Sequence, residues 1–355
     1  MQLTFDGETV RGGNEARERF YDARGYGRPH DGGLELAPVE AGHLLFRGDV
    51  TTVRDDRDDS GEGIGFESLL ASRAVSEVDF FVYKELRDRG FYLSPTDSAD
   101  VTDFIVYPRG QGPWDDAVAY RVTTLSERAT IDAGTLQAIA RGIDAEEDEA
   151  STGVLAVVDE ESEVTYLELD VPTLSGSTYH DIPSFEGDLL SDRVLVPEPP
   201  AALHDRAFYG QRLDRDDDRV QLSLVEAAYL SSRGDLAVGV EDVADADAIV
   251  DRGREVEGER FDRRLRVYDA LRSAGIVPKT GFKFGADFRT YADVDSVDDL
   301  GHSEFLVRAL PADHSFVPRD LSLDVRLAHG VRKRMLFALT VQGGIDWLSA
   351  ERLTP

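Results

Sequence analysis

Cysteine is absent from this 355-residue chain, and lysine nearly so: Lys84, Lys279, Lys283 and Lys333 are the four lysines among 39 basic residues. Without cysteine there can be no disulfide, no thiolate metal site and no thiol nucleophile. No apolar run reaches the length of a membrane span and no basic-then-apolar segment opens the chain. The expectation is therefore a soluble cytoplasmic protein with no membrane partner. Positive charge is scarce overall: 70 Asp and Glu leave a net charge of −31. The acids are spread along the whole length, a pattern suited to molar salt, where the Debye length falls to ~3 Å and self-repulsion is screened. This global charge disfavours polyanions, so nucleic acid could be bound only through a local basic cluster. A hydrophobic fraction of 41% is enough to build packed cores, and the length accommodates two to four domains.

What is present is an internal repeat. Residues 19–50 (RFYDARGYGRPHDGGLELAPVEAGHLLFRGDV) return as 206–236 (RAFYGQRLDRDDDRVQLSLVEAAYLSSRGDL). Residues 80–110 (FFVYKELRDRGFYLSPTDSADVTDFIVYPRG) return as 265–295 (LRVYDALRSAGIVPKTGFKFGADFRTYADVD). The nearly constant offset means that half the chain has been duplicated. Each half reads as a small α/β subdomain followed by a second subdomain with a mixed sheet flanked by helices, so the fold class is mixed α/β in tandem. The expected boundaries are 1–72 and 73–172, a Ser/Thr/Pro-rich linker at 173–187, then 188–256 and 257–355. In the last part, Asp262 reads as the N-cap of a helix whose Leu265, Tyr268 and Leu271 share a face and which Gly275 ends. Strands follow at 288–294 and 304–310, then a helix at 322–330 ending in Gly330, and strands at 334–340 and 345–353.

Aligned copies make the chain its own comparison. Tyr291 matches Tyr107. His302, however, faces Ala117, and Lys333 faces Ser151 or Thr152 beyond an acidic insertion. One half holds Tyr, His and Lys, and the other keeps only Tyr. These three types suit cleavage of a phosphodiester by a neighbouring 2′-hydroxyl, which needs a base, an acid and a cation near the developing charge. Histidine is the natural acid at neutral pH, and lysine is a compact point charge that can follow a phosphoryl oxygen. Tyrosine ordinarily ionises near pH ~10, so as a base it requires neighbouring cations. No cluster with metal-ligand spacing appears, and no cofactor is expected.

The run GFKFGADFRTYADVDSVDDLGHSEFLVRAL, with RLAHGVRKRMLFAL downstream, resembles the catalytic half of the archaeal tRNA splicing endonucleases. The duplication resembles their homodimeric form, whose subunit carries a degenerate and an active copy. The resemblance implies Tyr291 as general base, His302 as general acid and Lys333 as the cation. It further implies a homodimer that excises introns from precursor tRNA at bulge-helix-bulge RNA, leaving a 2′,3′-cyclic phosphate and a 5′-hydroxyl. By position, Arg326 and Arg352 would hold a flipped bulge base between them. The acidic run Asp144, Glu146, Glu147, Asp148 and Glu149 would dock into a basic groove of the partner subunit.

Each residue also has an ordinary reading. Tyr291 alone is a strand tyrosine, as Tyr107 is. His302 alone is a turn residue, and Lys333 alone is a cation stabilising a helix C-terminus by ~0.5 kcal/mol. Arg326 and Arg352 alone are surface arginines, and the acidic run alone is a solvated loop. Lys279, Lys283 and Arg289 around Gly281 and Gly285 either line an RNA path or belong to a hairpin turn. At the level of the whole chain, the alternatives are a non-catalytic RNA-binding subunit or a related ribonuclease with other RNA targets.

Overall fold

The computed structural model describes residues 2–57, 63–96, 101–142, 151–179, 181–238 and 245–355. They form two compact units. The first comprises Met1–Asp170 with Ser315–Leu323 and Arg352–Pro355, and the second comprises Val171–His314 with Asp324–Glu351. Among the described residues no helix is long and apolar enough to cross a membrane.

The duplication is visible as a repeated topology. In the first unit a small sheet runs, in spatial order, Arg28–His30, Gly33–Leu36, Val10–Gly12, Leu3–Phe5, Val53–Asp55 and Gly63–Ile64. In the second, Gln211–Arg212, Val220–Ser223, Arg193–Val196, Phe185–Leu189 and Leu236–Val238 repeat the first five of these. Each unit then has five strands in sequential order: Leu93–Pro95, Phe104–Val106, Tyr120–Ser126, Thr152–Val158 and Val164–Asp170 in one, and Val277–Thr280, Phe288–Tyr291, Phe305–Pro311, Arg334–Val341 and Gly344–Leu353 in the other. Only the third and fourth strands of each set run parallel. A parallel pair needs a crossover, and a helix supplies it: Ala133–Arg141 in the first set, Pro318–Gly330 in the second.

Three local details depart from the sequence reading. The helix after the small sheet spans Glu259–Ser273 and is capped at Gly258, so Asp262 lies inside its first turn, where it pairs with Arg254. An acid there also complements the helix dipole. The crossover helix starts at Pro318 rather than 322, because a proline is well tolerated in a helix's first turn, where its missing N–H has no acceptor to lose. Residues 176–178 of the expected linker are strapped to the second unit. Gly176 and Thr178 donate to the Ala274 and Gly275 carbonyls, and Ser177 donates to that of Ala292. A Cβ on Gly176 would meet the Gly275 carbonyl oxygen at 2.4 Å, so only glycine allows this approach.

Both halves bury an arginine over a tyrosine ring. Arg87 lies 3.9 Å from the Tyr26 centroid and Arg272 lies 3.8 Å from that of Tyr209. Beside each sits a buried glutamate that caps a helix. Glu40 accepts from the amides of Gly27 and Ala37, and Glu226 accepts from those of Gly210 and Ser223. Their surroundings differ most in charge at one position. Lys279 stands opposite Arg289 on the neighbouring strand, and Ser94 stands opposite Ile105, the corresponding residue of the first half. Lys279 donates to Glu226 at 2.8 Å. Burial pushes the Glu226 carboxyl up, but the Lys279 charge and the capping amides outweigh it and hold the group well below its ordinary range. Glu40 has no such lysine, and burial raises it to about 7.

Lys279→Met should therefore strand a buried carboxylate and destabilise the protein by about 3–5 kcal/mol in denaturant unfolding. A depressed carboxyl contributes stability that is present above its ordinary pKa of 4.5 and is lost as pH falls towards the folded value. That acid-side loss should be much flatter in the variant.

Candidate active site

Strand register gathers the three residues singled out from the sequence. Phe288–Tyr291 runs antiparallel to Phe305–Pro311, which runs parallel to Arg334–Val341. The Glu304 amide donates to the Thr290 carbonyl at 3.2 Å, and the Arg334 amide donates to the Glu304 carbonyl at 3.0 Å. Continuing the register two residues past the Arg289–Leu306 pair and one residue back from the Phe305–Arg334 pair puts Tyr291, Glu304 and Lys333 in one row. Paired residues project to the same face, and at the usual strand spacing the outer two backbones are about 10 Å apart. His302 lies two residues before Glu304, in the segment that leads into the strand. The opposite face, with Phe288, Phe305, Val307, Leu336 and Ala338, is buried in the same core as Val267 and Leu271 of the Glu259–Ser273 helix.

Tyr291 is 7% exposed and packs in a small cluster with Phe208, Val277 and Val294. Its ring centroid is 5.7 Å from that of Phe208, and the Arg289 guanidinium lies 5.7 Å from the Tyr291 ring. The 176–178 strap holds the chain just beyond it, through the Ala292 carbonyl and the Val294 amide, which donates to the Thr178 hydroxyl. Tyr107, its counterpart, shares a 3.0 Å hydrogen bond with Ser94, and burial raises its phenol. Among the described residues no hydrogen bond engages the Tyr291 hydroxyl.

Lys333 is positioned by the end of the crossover helix. Its amide donates to the Ala328 carbonyl and that of Arg332 donates to His329, the paired bonds of a Schellman ending. The helix ends at Gly330, as the sequence reading had it, and the left-handed position of the motif is filled by Arg332, at φ +58°. The Lys333 ammonium donates to the Ser303 carbonyl at 3.1 Å, which ties it to the residue after His302. Burial, and then the Arg289 charge, lower its pKa below the ordinary lysine value. The Ser303 hydroxyl and the Arg289 Nε are buried without hydrogen-bond partners among the described residues, leaving polar capacity around the ammonium.

His302 and Lys333 line one open cleft of about 780 Å³, together with Ser303, Glu304, His329, Arg332, Arg334 and Glu351. Two arginines and a lysine face two carboxylates there, and Glu351 is paired with Arg334 at 3.2 Å. In a chain of charge −31 this is a local positive site, able to take a phosphate. Tyr291 stands in the same row but is not among the residues lining the cleft. Arg326 and Arg352 are exposed and do not line it either. Arg326 belongs to the second unit and Arg352 to the first. The acidic run at 144–149 lies outside the described residues. Lys279 is excluded from any RNA path by its buried bond to Glu226. Sequence reasoning passed over Arg332 and Arg334, although three consecutive basic residues in so acidic a chain were the available signal.

The same register in the first half sets Ala119 in the place of Glu304, Ala117 in that of His302, and Ser151 in that of Lys333. Two family models each match the chain twice. The catalytic C-terminal domain of tRNA intron endonucleases matches residues 77–166 and 261–347, and the N-terminal domain matches 1–70 and 185–247. The chain belongs to the tRNA intron endonuclease family. It is 59% identical to the tRNA-splicing endonuclease of Haloarcula marismortui over the whole of both chains. It is 53% identical to that of Natronomonas pharaonis, covering 97% of this chain and 96% of the relative. With that of Methanosarcina acetivorans the identity is 38% over 99% of each. The similarity to tRNA intron endonucleases thus extends through both halves, including the one that lacks the histidine and the lysine.

An arginine in the left-handed region costs on the order of 1 kcal/mol relative to glycine. Arg332→Gly should raise stability by that amount in thermal unfolding while weakening the binding of a short oligonucleotide about tenfold by fluorescence anisotropy. Unchanged oligonucleotide affinity would remove Arg332 from the binding surface.

Proposed function

We propose that this chain is a tRNA-splicing endonuclease that acts in the cytoplasm as a homodimer on precursor tRNA, cutting at bulge-helix-bulge intron junctions. The observation that carries the reading is the row at one end of three neighbouring strands, where Tyr291 and Lys333 flank the approach of His302, set against Ala117 and Ser151 at the matching places of the other half.

In the proposed step the ribose 2′-oxygen attacks the adjacent phosphorus. Tyr291, ionised beforehand, accepts the 2′-proton, and protonated His302 gives its proton to the departing 5′-oxygen. One O–P bond forms and one breaks, so no water is consumed. The products are a 2′,3′-cyclic phosphate and a 5′-hydroxyl, as for a lyase. Lys333 faces the extra negative charge of the phosphorane, where a compact ammonium can track one oxygen. In this reading Lys333 supplies the charge that a metal would otherwise supply. Arg326 and Arg352 are assigned to an unpaired base, and the 144–149 acids to docking on the partner subunit.

The test is cleavage of a bulge-helix-bulge RNA in concentrated potassium chloride with excess EDTA. The intact chain should yield cyclic-phosphate ends. His302→Ala should lose 10²–10⁴-fold in single-turnover rate, the usual worth of a positioned acid. Lys333→Arg should bind RNA normally yet cleave about a hundredfold more slowly, because the fork cannot occupy the ammonium's place. RNA binding without cleavage by the intact chain would replace this reading with that of a non-catalytic subunit.

A further inference from the structure

The most exposed large hydrophobic side chain among the described residues is Phe282, at 86%. It stands on the turn between the strands Val277–Thr280 and Phe288–Tyr291, in a single turn of 3-10 helix at Phe282–Phe284. The turn is held by its own backbone. The Phe284 amide donates to the Gly281 carbonyl at 2.8 Å, those of Gly285 and Ala286 donate to Phe282 and Gly281, and Gly285 takes the left-handed conformation at φ +70°. Gly281 is fixed by crowding, since a Cβ would meet the Ala286 carbonyl oxygen at 2.8 Å. An aromatic ring offered to solvent on so constrained a loop costs hydrophobic free energy and forms no internal packing. It would lose little conformational freedom on meeting a ligand.

Three observations say what the ligand is. Phe284, two residues on, has its ring 6.0 Å from the Lys333 ammonium, which places the turn beside the candidate active site. Lys283, between the two phenylalanines, is exposed and has no ion pair with another described residue. It is one of four lysines in a chain of charge −31. The first half has no counterpart to either residue: between Pro95 and Phe104 it reads TDSADVTD, without an aromatic or a cation. Aromatic and lysine thus occur only in the copy that holds His302 and Lys333. A ring next to a cation is the pairing that single-stranded nucleic acid uses, with the base on the ring and its phosphate on the charge.

We propose that Phe282 is a stacking platform for an unpaired nucleobase of the RNA and that Lys283 takes the phosphate of that nucleotide. The proposal rests on the RNA-cleaving reading above. It adds a third contact to the two arginines, on the side of the cleft where Lys333 lies.

The experiment uses the full chain carrying His302→Ala, so that RNA stays whole, with bulge-helix-bulge RNAs bearing 2-aminopurine at each unpaired position in turn. One position should be quenched on binding. Phe282→Ala should abolish that quenching and weaken binding about 10- to 100-fold. In the His302-containing chain it should raise KM by a similar factor with kcat nearly kept. Phe282→Trp should restore quenching and affinity, whereas Phe282→Leu, apolar but without a stacking face, should not. Because the side chain is exposed, none of these changes should alter thermal unfolding. Cleavage and binding unaffected by Phe282→Ala would overturn the platform alone. So would a loss of affinity that follows dissociation of a dimer in sedimentation, which would make Phe282 a protein contact. Failure of the unsubstituted chain to bind the RNA at all would overturn the functional reading with it.

Discussion

The site depends on backbone hydrogen bonding between three strands. Tyr291, His302 and Lys333 are separated by 11 and 31 residues, and no local structure could bring them together. The antiparallel step from Phe288–Tyr291 to Phe305–Pro311 reverses the chain, and the parallel step to Arg334–Val341 brings it back in the same direction. The end of one strand and the beginnings of two others therefore meet at one edge. A one-residue slip in either pairing would turn Tyr291 or Lys333 to the opposite face. The Glu259–Ser273 helix guards against such a slip by burying Phe288, Phe305 and Leu336 on that face.

Duplication supplies two scaffolds under different demands. The buried arginine, tyrosine and capping glutamate occur in both, so they belong to the fold and not to the chemistry. Lysine is where the halves part. Lys279 compensates the buried Glu226 carboxylate, whereas its counterpart Glu40 has no lysine beside it, and Lys333 stands where the first half has Ser151. Lys279 and Lys333 thus separate the copies, one through stability and one through the site.

The duplication, the mixed α/β class and the residue types of the site were legible in the sequence, because repeats preserve order and spacing. The geometry around them was not. Lys279 looked like a surface cation beside Lys283, and only pairing with the small subdomain buries it against Glu226. The 173–187 segment had the composition of a free linker. Its Gly176 instead allows a close backbone approach to Gly275, a partner about a hundred residues away that composition cannot reveal. Arg332 has no local signature of a left-handed residue, although it adopts that conformation just past the helix end at Gly330. Segments 315–323 and 352–355 belong with the first unit although one interrupts the second in the chain and the other follows it. Contact, not order, decides such membership.

The shortage of lysine has a practical consequence for chemical labelling. Amine-directed reagents find few side chains on this protein. Lys279 is sealed against Glu226, and Lys84 is tied to Asp88 at 2.8 Å. Lys283 is open, and Lys333, half-buried with a lowered pKa, sheds its proton sooner than an ordinary lysine. The free amine is the nucleophile in acylation, so among the lysine side chains such a reagent favours Lys283 and Lys333, near where the strands converge. The protein in effect carries its own site-directed probe, with no engineered handle required.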